Sequence, residues 1–202
     1  MSKEIRAFNF EIRAAEETTG RIEGRAIVYN EKTDMGYYDE IIAVGALDGA
    51  NLRDVRMLVN HNTDMIPLAR SRNNNANSTM QLSVDGEGLA IRADLDIENN
   101  ADSKSLYSAV GRGDVSGMSF MFQVDGDKWD DIDSDHPTRT ITAISKVYEV
   151  SAVTWPAYEA TSISTRGLAD ALDSAKASLE SAKAEQRAME SRKKKIKILA
   201  KM

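Results

Sequence analysis

The chain has 202 residues, a formal net charge of -6, two histidines and no cysteine. Its length fits one domain with an appendage or two small domains, and its 42% hydrophobic residues are enough for a buried core. The lack of cysteine excludes a disulfide scaffold, a thiolate metal site and a cysteine nucleophile. Two histidines are too few for a multi-histidine zinc centre. The net negative charge argues against a body that binds nucleic acid.

The N-terminal residues carry charges throughout and no long apolar run, so we predict neither a signal peptide nor a membrane span, and a cytoplasmic protein. Short segments follow in which apolar and polar residues alternate, which is the period of half-buried strands. These segments are 8–12, 24–29, 55–59, 80–84 and 89–93. The turn residues 85–88 predict a hairpin between the last two strands.

A capped helix is predicted at 100–113, where Leu106 and Val110 lie four residues apart and glycines end the segment. Three further strands follow this helix. They are 114–124, 140–144 and 146–154. The acidic segment 125–135 between the first two is predicted to be an exposed loop. The body is therefore expected to be mainly β with at least one internal helix.

The C-terminal part predicts one long helix after Gly167, because it is rich in Ala, Glu, Lys and Leu and contains no proline or further glycine. Its apolar stripe is thin and mostly alanine, which predicts weak packing on the body or a separate partner. The stripe consists of Leu168, Ala171 or Leu172, Ala175, Leu179, Ala182 and Met189. We therefore predict a domain at 1–165 and a helical segment with a basic tail at 166–202.

The charge is distributed unevenly along the chain. The last twelve residues hold six Lys or Arg and no acid, which leaves 20 bases against 32 acids in residues 1–190, a net charge of -12. A basic tip on an acidic body can bind nucleic acid or the acidic surface of a partner. A solvated, frayed terminus explains the same residues, and the sequence leaves both interpretations open.

The residue types on offer favour a hydroxyl nucleophile, which needs a base to take its proton, and histidine suits that work at neutral pH. His61 closes the apolar run 55–59 and shares its apolar face if the strand continues. His136 lies in the acidic loop, next to Pro137, where nothing indicates a fixed pocket. His61 is therefore the candidate base, although a single histidine at a strand end is more commonly structural.

Two serines compete for the role of nucleophile. In the strand that contains Met118 and Phe120, Ser119 points away from the apolar face and Ser116 shares it. A buried apolar face is a poor place for a group that must meet substrate and water. Ser119 is therefore preferred, with Ser116 as the alternative.

Glu149 is the candidate third member of the site. It interrupts the apolar strand 147–153, where a carboxylate is costly unless it is paired. A paired, buried carboxylate would orient the histidine and stabilise its cation. The residues alone equally allow an exposed face.

Taken together, these segments resemble the prohead (capsid maturation) serine proteases of tailed phages, which are similar in fold to the herpesvirus assemblin proteases. The resemblance runs from about residue 24 to residue 164 and includes the run that ends in Asn60 and His61. Its most specific parts are 112–122, RGDVSGMSFMF, and 148–158, YEVSAVTWPAY. Any one part is weak, but all of them in this order are specific.

The resemblance implies a mainly β with α (α+β) fold, namely an assemblin-like closed β-barrel with peripheral helices and a long C-terminal helix. It makes His61 the general base, Ser119 the nucleophile and Glu149 the third member, where assemblins use a second histidine. The chain departs from the phage pattern at Met121, where glycine is common, and at Ala152, where proline is common. The assemblins' oxyanion-site arginines are replaced by 155–157, so we expect backbone N–H groups near Ser119 to bind the oxyanion.

The activity implied is that of a serine endopeptidase with no cofactor or metal. The expected partners are the major capsid protein and its scaffolding segment, and the expected place is the immature phage prohead in the bacterial host cytoplasm. The resemblance also implies self-cleavage, and it leaves a homo-oligomer open. Two alternatives stay open: an internal capsid scaffold protein whose protease-like fold has no chemical role, and a module that binds extended peptides by strand addition.

Overall fold

A computed structural model describes residues 3–8, 12–15, 20–154 and 165–199. Within them the chain forms an α+β fold with short strands first, then one helix, a long hairpin and a C-terminal helix. The strands are β1 Lys3–Phe8, β2 Ile12–Ala14, β3 Arg21–Val28, β4 Thr33–Asp34, β5 Asp39–Ile42, β6 Arg56–Val59, β7 Ala69–Arg70, β8 Met80–Asp85, β9 Gly88–Asp94, β10 Gly117–Asp130 and β11 Thr138–Val153. The α-helices are α1 Ala101–Arg112 and α2 Thr165–Leu199, and a short 3-10 helix spans Arg72–Asn74.

The strands form two sheets. In the larger one β10 lies between β1 and β11, both antiparallel to it, and β11 also pairs in parallel with β5 at one end and with β6 at the other. The smaller sheet has the order β2-β3-β9-β8. The Thr79 N–H donates to the Arg70 carbonyl at 3.1 Å, so the sheets contact each other there. No strand ladder among the described residues joins them, and the predicted closed barrel is not confirmed.

The core follows from alternation along β10. Met118, Phe120 and Phe122 lie on one face of the strand and are fully buried, and the two phenyl rings lie 4.8 Å apart. Apolar residues of the smaller sheet, such as Ile22, belong to the same core. Burying each such side chain contributes about 1.5–3 kcal/mol. The hydrophobic effect therefore fixes which face of β10 turns inward, and it leaves the opposite face for polar side chains.

The predicted internal helix is confirmed, with both caps. The Asn100 side chain accepts hydrogen bonds from the N–H groups of Asp102 at 2.9 Å and Ser103 at 3.1 Å. Gly113 ends the helix with φ +78°, a conformation that suits glycine. Leu106 is buried under the helix. The predicted hairpin between β8 and β9 is also confirmed.

The hairpin of β10 and β11 differs from the prediction in two ways. Strand β10 extends to Asp130, and β11 is one continuous strand of 16 residues. The first half of the segment 125–135 therefore forms a strand and not an exposed loop, and Asp127 there is half-buried. The physical reason is pairing: acidic residues that are unfavourable in an isolated strand are held here by the partner strand and by Arg139, which donates to Asp127 at 2.7 Å.

Strand β10 begins at Gly117, so Ser116 precedes it and is exposed. The expectation that Ser116 shares the buried face is therefore wrong, because the alternation starts only where pairing with β11 begins. The predicted strand 8–12 is divided between β1 and β2, and its residues 9–11 lie outside the described residues.

Among the side chains of α2 that the structure describes, the buried and half-buried ones lie between residues 172 and 183. Ala175 is buried, Leu172, Leu179 and Ala182 are half-buried, and the side chains of Leu168 and Ala171 lie outside the described residues. Every residue from 184 to 196 is exposed, including Met189 of the apolar stripe, which fits the expectation of weak packing on the body or a separate partner. Neither of the described α-helices is long and apolar enough to span a membrane. The domain division at 165 stays a prediction.

Candidate active site

His61 lies in a tight turn directly after β6. Asn60 and His61 have φ values of 51° and 56°, in the left-handed region, which asparagine tolerates and histidine adopts at some cost. The turn is fastened to β11: the Asn60 N–H donates to the Ala152 carbonyl at 3.0 Å, and the Asn60 side chain accepts from the Thr154 N–H at 3.1 Å. The sequence analysis placed His61 on the apolar face on the condition that the strand continues. The strand instead ends at Val59, and the turn after it directs the imidazole.

Ser119 and Glu149 come from the two central strands of the larger sheet. Ser119 is opposite Ala7 of β1 on one side and Ser151 of β11 on the other. Glu149 is opposite Met121 of β10, and its other neighbour is Arg56 of β6. The strand order therefore brings Glu149 and the turn after β6 to the same face as Ser119, the face opposite the phenyl rings.

The three side chains form a hydrogen-bonded chain. His61 Nδ1 lies 2.6 Å from Glu149 Oε1, and His61 Nε2 is hydrogen-bonded to Ser119 Oγ. A carboxylate oxygen can only accept, so Nδ1 must carry the proton and donate it to Glu149. In a neutral imidazole Nε2 is then unprotonated and can accept from the serine hydroxyl. This is the tautomer in which an imidazole can take the proton of a serine.

Ser119 has a second hydrogen-bond partner in the main chain. Its Oγ lies 2.5 Å from the carbonyl oxygen of Arg6 in β1, a group that can only accept. The serine has one hydroxyl hydrogen, so the Arg6 carbonyl and His61 Nε2 compete for it. Ser119 has no exposed surface, and the side chains of His61 and Glu149 are only 6% and 4% exposed. A peptide carbonyl can therefore contact Oγ only after the groups around it separate.

A fourth side chain, which sequence reasoning missed, joins the set. Ser151 Oγ donates to Glu149 Oε2 at 2.6 Å and accepts from the His61 N–H at 3.1 Å. The one available signal was the spacing of two along β11, which puts Ser151 on the same face as Glu149. We call His61, Ser119, Glu149 and Ser151 the histidine cluster.

A second buried polar group, also missed, lies on β1, β5 and β11. Arg6 is paired with Glu40 and Glu4, and Arg139 donates to Glu4 at 2.9 Å and to Glu40 at 3.2 Å. All four are at most 2% exposed. We call them the ion cluster.

The charges of the ion cluster support each other. Burial raises the pKa of the Glu4 carboxyl, but Arg6 and Arg139 lower it more, so it lies below its ordinary value. Burial works in the opposite sense on Arg6, and Glu40 more than offsets it, so the pKa of Arg6 is raised. Burial raises the pKa of the nearby Tyr38 to about 12.

Helix α2 is attached beside this cluster. Ser174 Oγ donates to Glu4 Oε1 at 2.9 Å, and Ser178 Oγ donates to Asp127 at 2.9 Å. The indole N–H of Trp129 donates to Ser178 Oγ, also at 2.9 Å. Glu4 therefore connects the C-terminal helix to β1, and Ala7 of the same strand lies opposite Ser119.

The second histidine has a different environment. His136 is exposed, and its Nε2 lies 3.1 Å from Asp39 and 3.7 Å from Asp34. Asp39 also accepts from Lys32 at 2.5 Å. These surface contacts explain the grouping of two acids and one histidine without a metal ion, and no serine hydroxyl is among the contacts of His136 that the structure describes.

The predicted oxyanion donors near Ser119 stay a prediction, and the stretch 155–157 lies outside the described residues.

A family model described as caudovirus prohead serine protease matches residues 8–174 of the chain, which is most of its length. The match includes all of the histidine cluster and ends within α2. Comparison with curated proteins returns no match, and neither does comparison with solved structures.

Proposed function

Because the chain belongs to the caudovirus prohead serine protease family, and is thus a serine peptidase of capsid maturation, we propose that Ser119, His61 and Glu149 are its catalytic triad. We further propose that it is an endopeptidase that cleaves the scaffolding segment of the major capsid protein, and itself. The observation that carries the triad is the chain of hydrogen bonds from Glu149 through His61 to Ser119.

In the acylation step, Ser119 Oγ attacks the carbonyl carbon of the scissile peptide bond while His61 Nε2 takes its proton. The Oγ–C bond forms, and the C–N bond breaks as His61 returns the proton to the leaving amine. Glu149 keeps the proton on Nδ1 and stabilises the imidazolium. Water then attacks the acyl-enzyme, again giving its proton to His61, and the acid product leaves as Ser119 regains its hydrogen.

The burial of Ser119 adds a requirement to this mechanism. The hydroxyl is held between His61 and the Arg6 carbonyl, and an incoming carbonyl must contact Oγ in their presence. Local opening near β1 is therefore part of our proposal for substrate entry. Such closure at rest suits a protease that must not cut the cell's other proteins.

The test compares the wild type with Ser119→Ala and Ser116→Ala, each expressed alone and with the capsid protein, by intact-mass spectrometry. We expect Ser119→Ala to leave both proteins whole and Ser116→Ala to cut as the wild type does. Loss of cutting in Ser116→Ala alone would move the nucleophile to Ser116. Wild type that never cuts supports the internal scaffold protein, and stable complexes with intact peptide support the peptide-binding module.

Association with capsid proteins follows from the family, and we propose that α2 provides it. Every residue of the helix from 184 to 196 is exposed, including Lys193, Lys194 and Lys195 near its end. An acidic surface on the scaffolding segment is the complementary partner. Binding there would carry the protease into the assembling prohead.

A further inference from the structure

Resting on the proposed function, we propose that Ser151 is a positioning residue that holds the acid and the base of the triad in register. Its hydroxyl group makes two contacts at once, one with the carboxylate of Glu149 and one with the backbone of His61. No other side chain among the described residues contacts both of these partners through hydrogen bonds given by the structure.

The first contact fixes the carboxylate. Glu149 Oε1 accepts from His61, and Oε2 accepts from Ser151 at 2.6 Å, so both oxygens have a donor. Without the serine, a carboxylate that is 4% exposed keeps one oxygen without a donor in a buried site. The group can then rotate to find another partner, and the rotation takes Oε1 away from Nδ1.

The second contact fixes the histidine main chain. His61 has φ 56°, and this left-handed conformation persists only where the surroundings hold it. Ser151 Oγ accepts its N–H at 3.1 Å, and the neighbouring Asn60 is bonded to the next residue of β11. Ser151 is fully buried on the central strand, so it is a rigid reference point for both groups.

Ser151 thus sets the distance and the angle between the Glu149 carboxylate and the His61 imidazole. It touches no reacting atom of the proposed mechanism. Its loss displaces the imidazole relative to Ser119 Oγ, and a displacement of about 1 Å in such a site reduces the rate about 100-fold. The loss falls on the chemical step and not on the first binding of substrate.

The experiment measures reaction of the full chain with a small fluorophosphonate probe, which phosphonylates an activated serine, and separates its maximal rate kinact from its half-saturation concentration KI. We expect Ser151→Ala to lower kinact about 10- to 100-fold with KI within twofold of the wild type. Ser151→Thr keeps the hydroxyl and should recover most of the rate. Equal kinact in the wild type and Ser151→Ala overturns the proposal.

Ser71→Ala is the matched control. Ser71 is also fully buried, and its Oγ accepts from the Val55 N–H at 3.0 Å, but it does not belong to the histidine cluster. Both variants lose one buried hydroxyl that holds a main-chain N–H, and Ser71 contacts no carboxylate. We expect the labelling rate of Ser71→Ala to equal that of the wild type; a loss equal to that of Ser151→Ala would make Ser151 merely structural.

A second measurement reports on geometry directly. The sequence has two histidines, so a spectrum of ¹⁵N-histidine-labelled protein contains two imidazoles. A proton held between Nδ1 and a carboxylate resonates far downfield, and we expect this signal in the wild type and Ser71→Ala but not in Ser151→Ala. Persistence of the signal in Ser151→Ala contradicts the proposal. Wild type that is never labelled on Ser119 refutes the proposed function instead, whatever the spectrum shows.

Discussion

The histidine cluster and the ion cluster lie on one sheet, both have buried side chains, and both include residues of strand β11. The ion cluster has two guanidinium groups against two carboxylates, and its members are hydrogen-bonded to one another. Arginine does not release its proton at any ordinary pH, so neither guanidinium group of this cluster can act as an acid or a base. The histidine cluster contains one carboxylate, one imidazole and hydroxyl groups, and its central member can both take and return a proton.

This difference teaches that burial of polar groups does not by itself identify an active site. Both clusters satisfy the rule that buried charges must be paired. They differ in whether pairing leaves an acceptor beside a nucleophile, as His61 Nε2 does beside Ser119. Arg6 contacts both clusters: its guanidinium group belongs to the ion cluster, and its carbonyl oxygen contacts Ser119 of the histidine cluster.

The largest expected effect separates the two histidines. His61→Ala removes the base and should reduce labelling of Ser119 and capsid cleavage by about 10,000-fold or more in protein that stays folded. His136→Ala is the control, since it removes an exposed imidazole that contacts Asp39. A comparable loss in His136→Ala would contradict the assignment of the base.

The ion cluster should respond in stability instead. Arg139→Met leaves Glu4 and Glu40 buried with half of their cationic partners gone, which should lower the free energy of unfolding by about 3–5 kcal/mol in urea titrations. Arg13→Met, which breaks an exposed pair with Glu23, should leave the urea midpoint unchanged.

Labelling of the Arg139→Met protein that stays folded in dilute buffer should proceed at the wild-type rate. A rate that falls in proportion to the lost stability would mean that the two clusters are not separable.

A smaller effect is expected from pH. The pKa of Glu4 is lowered in the folded protein, so its stabilising contribution is fully present above the ordinary value of 4.5 and is lost as the pH falls through the folded pKa. Urea titrations between pH 3 and pH 7 should therefore show a drop in stability below pH 4.5. In Glu4→Gln that drop should be shallower, because the titrating group is absent; an identical acid limb would show that Glu4 contributes nothing to it.

The clusters also differ in how far the sequence predicted them. Alternation placed Ser119 on the face opposite the phenyl rings, and an acid inside an apolar strand marked Glu149, because both signals are local. Arg6 lies 34 residues from Glu40, and Glu4 lies 135 residues from Arg139. No spacing rule connects such positions, since only the strand order brings them together.

The caps of α1 were predictable for the same reason, because Asn100 acts on the next turn of its own helix. The bounds of β10 were not. Its extension to Asp130 depends on the partner strand, and the residues themselves are acidic and typical of a loop. The position of His61 depends on a left-handed turn whose fastening to β11 is likewise a tertiary contact.

The smallest effect on both clusters is expected from truncation after residue 183. It removes the exposed part of the helix and keeps Ser174 and Ser178, so stability and Ser119 labelling should equal those of the wild type. Packaging should be lost, measured as the ratio of protease to capsid protein in purified proheads. A full-length variant with Gln at Lys193, Lys194 and Lys195 keeps the helix and removes charge. If charge directs the binding, this variant is excluded as well, whereas wild-type packaging of the truncated chain would refute the role proposed for the helix.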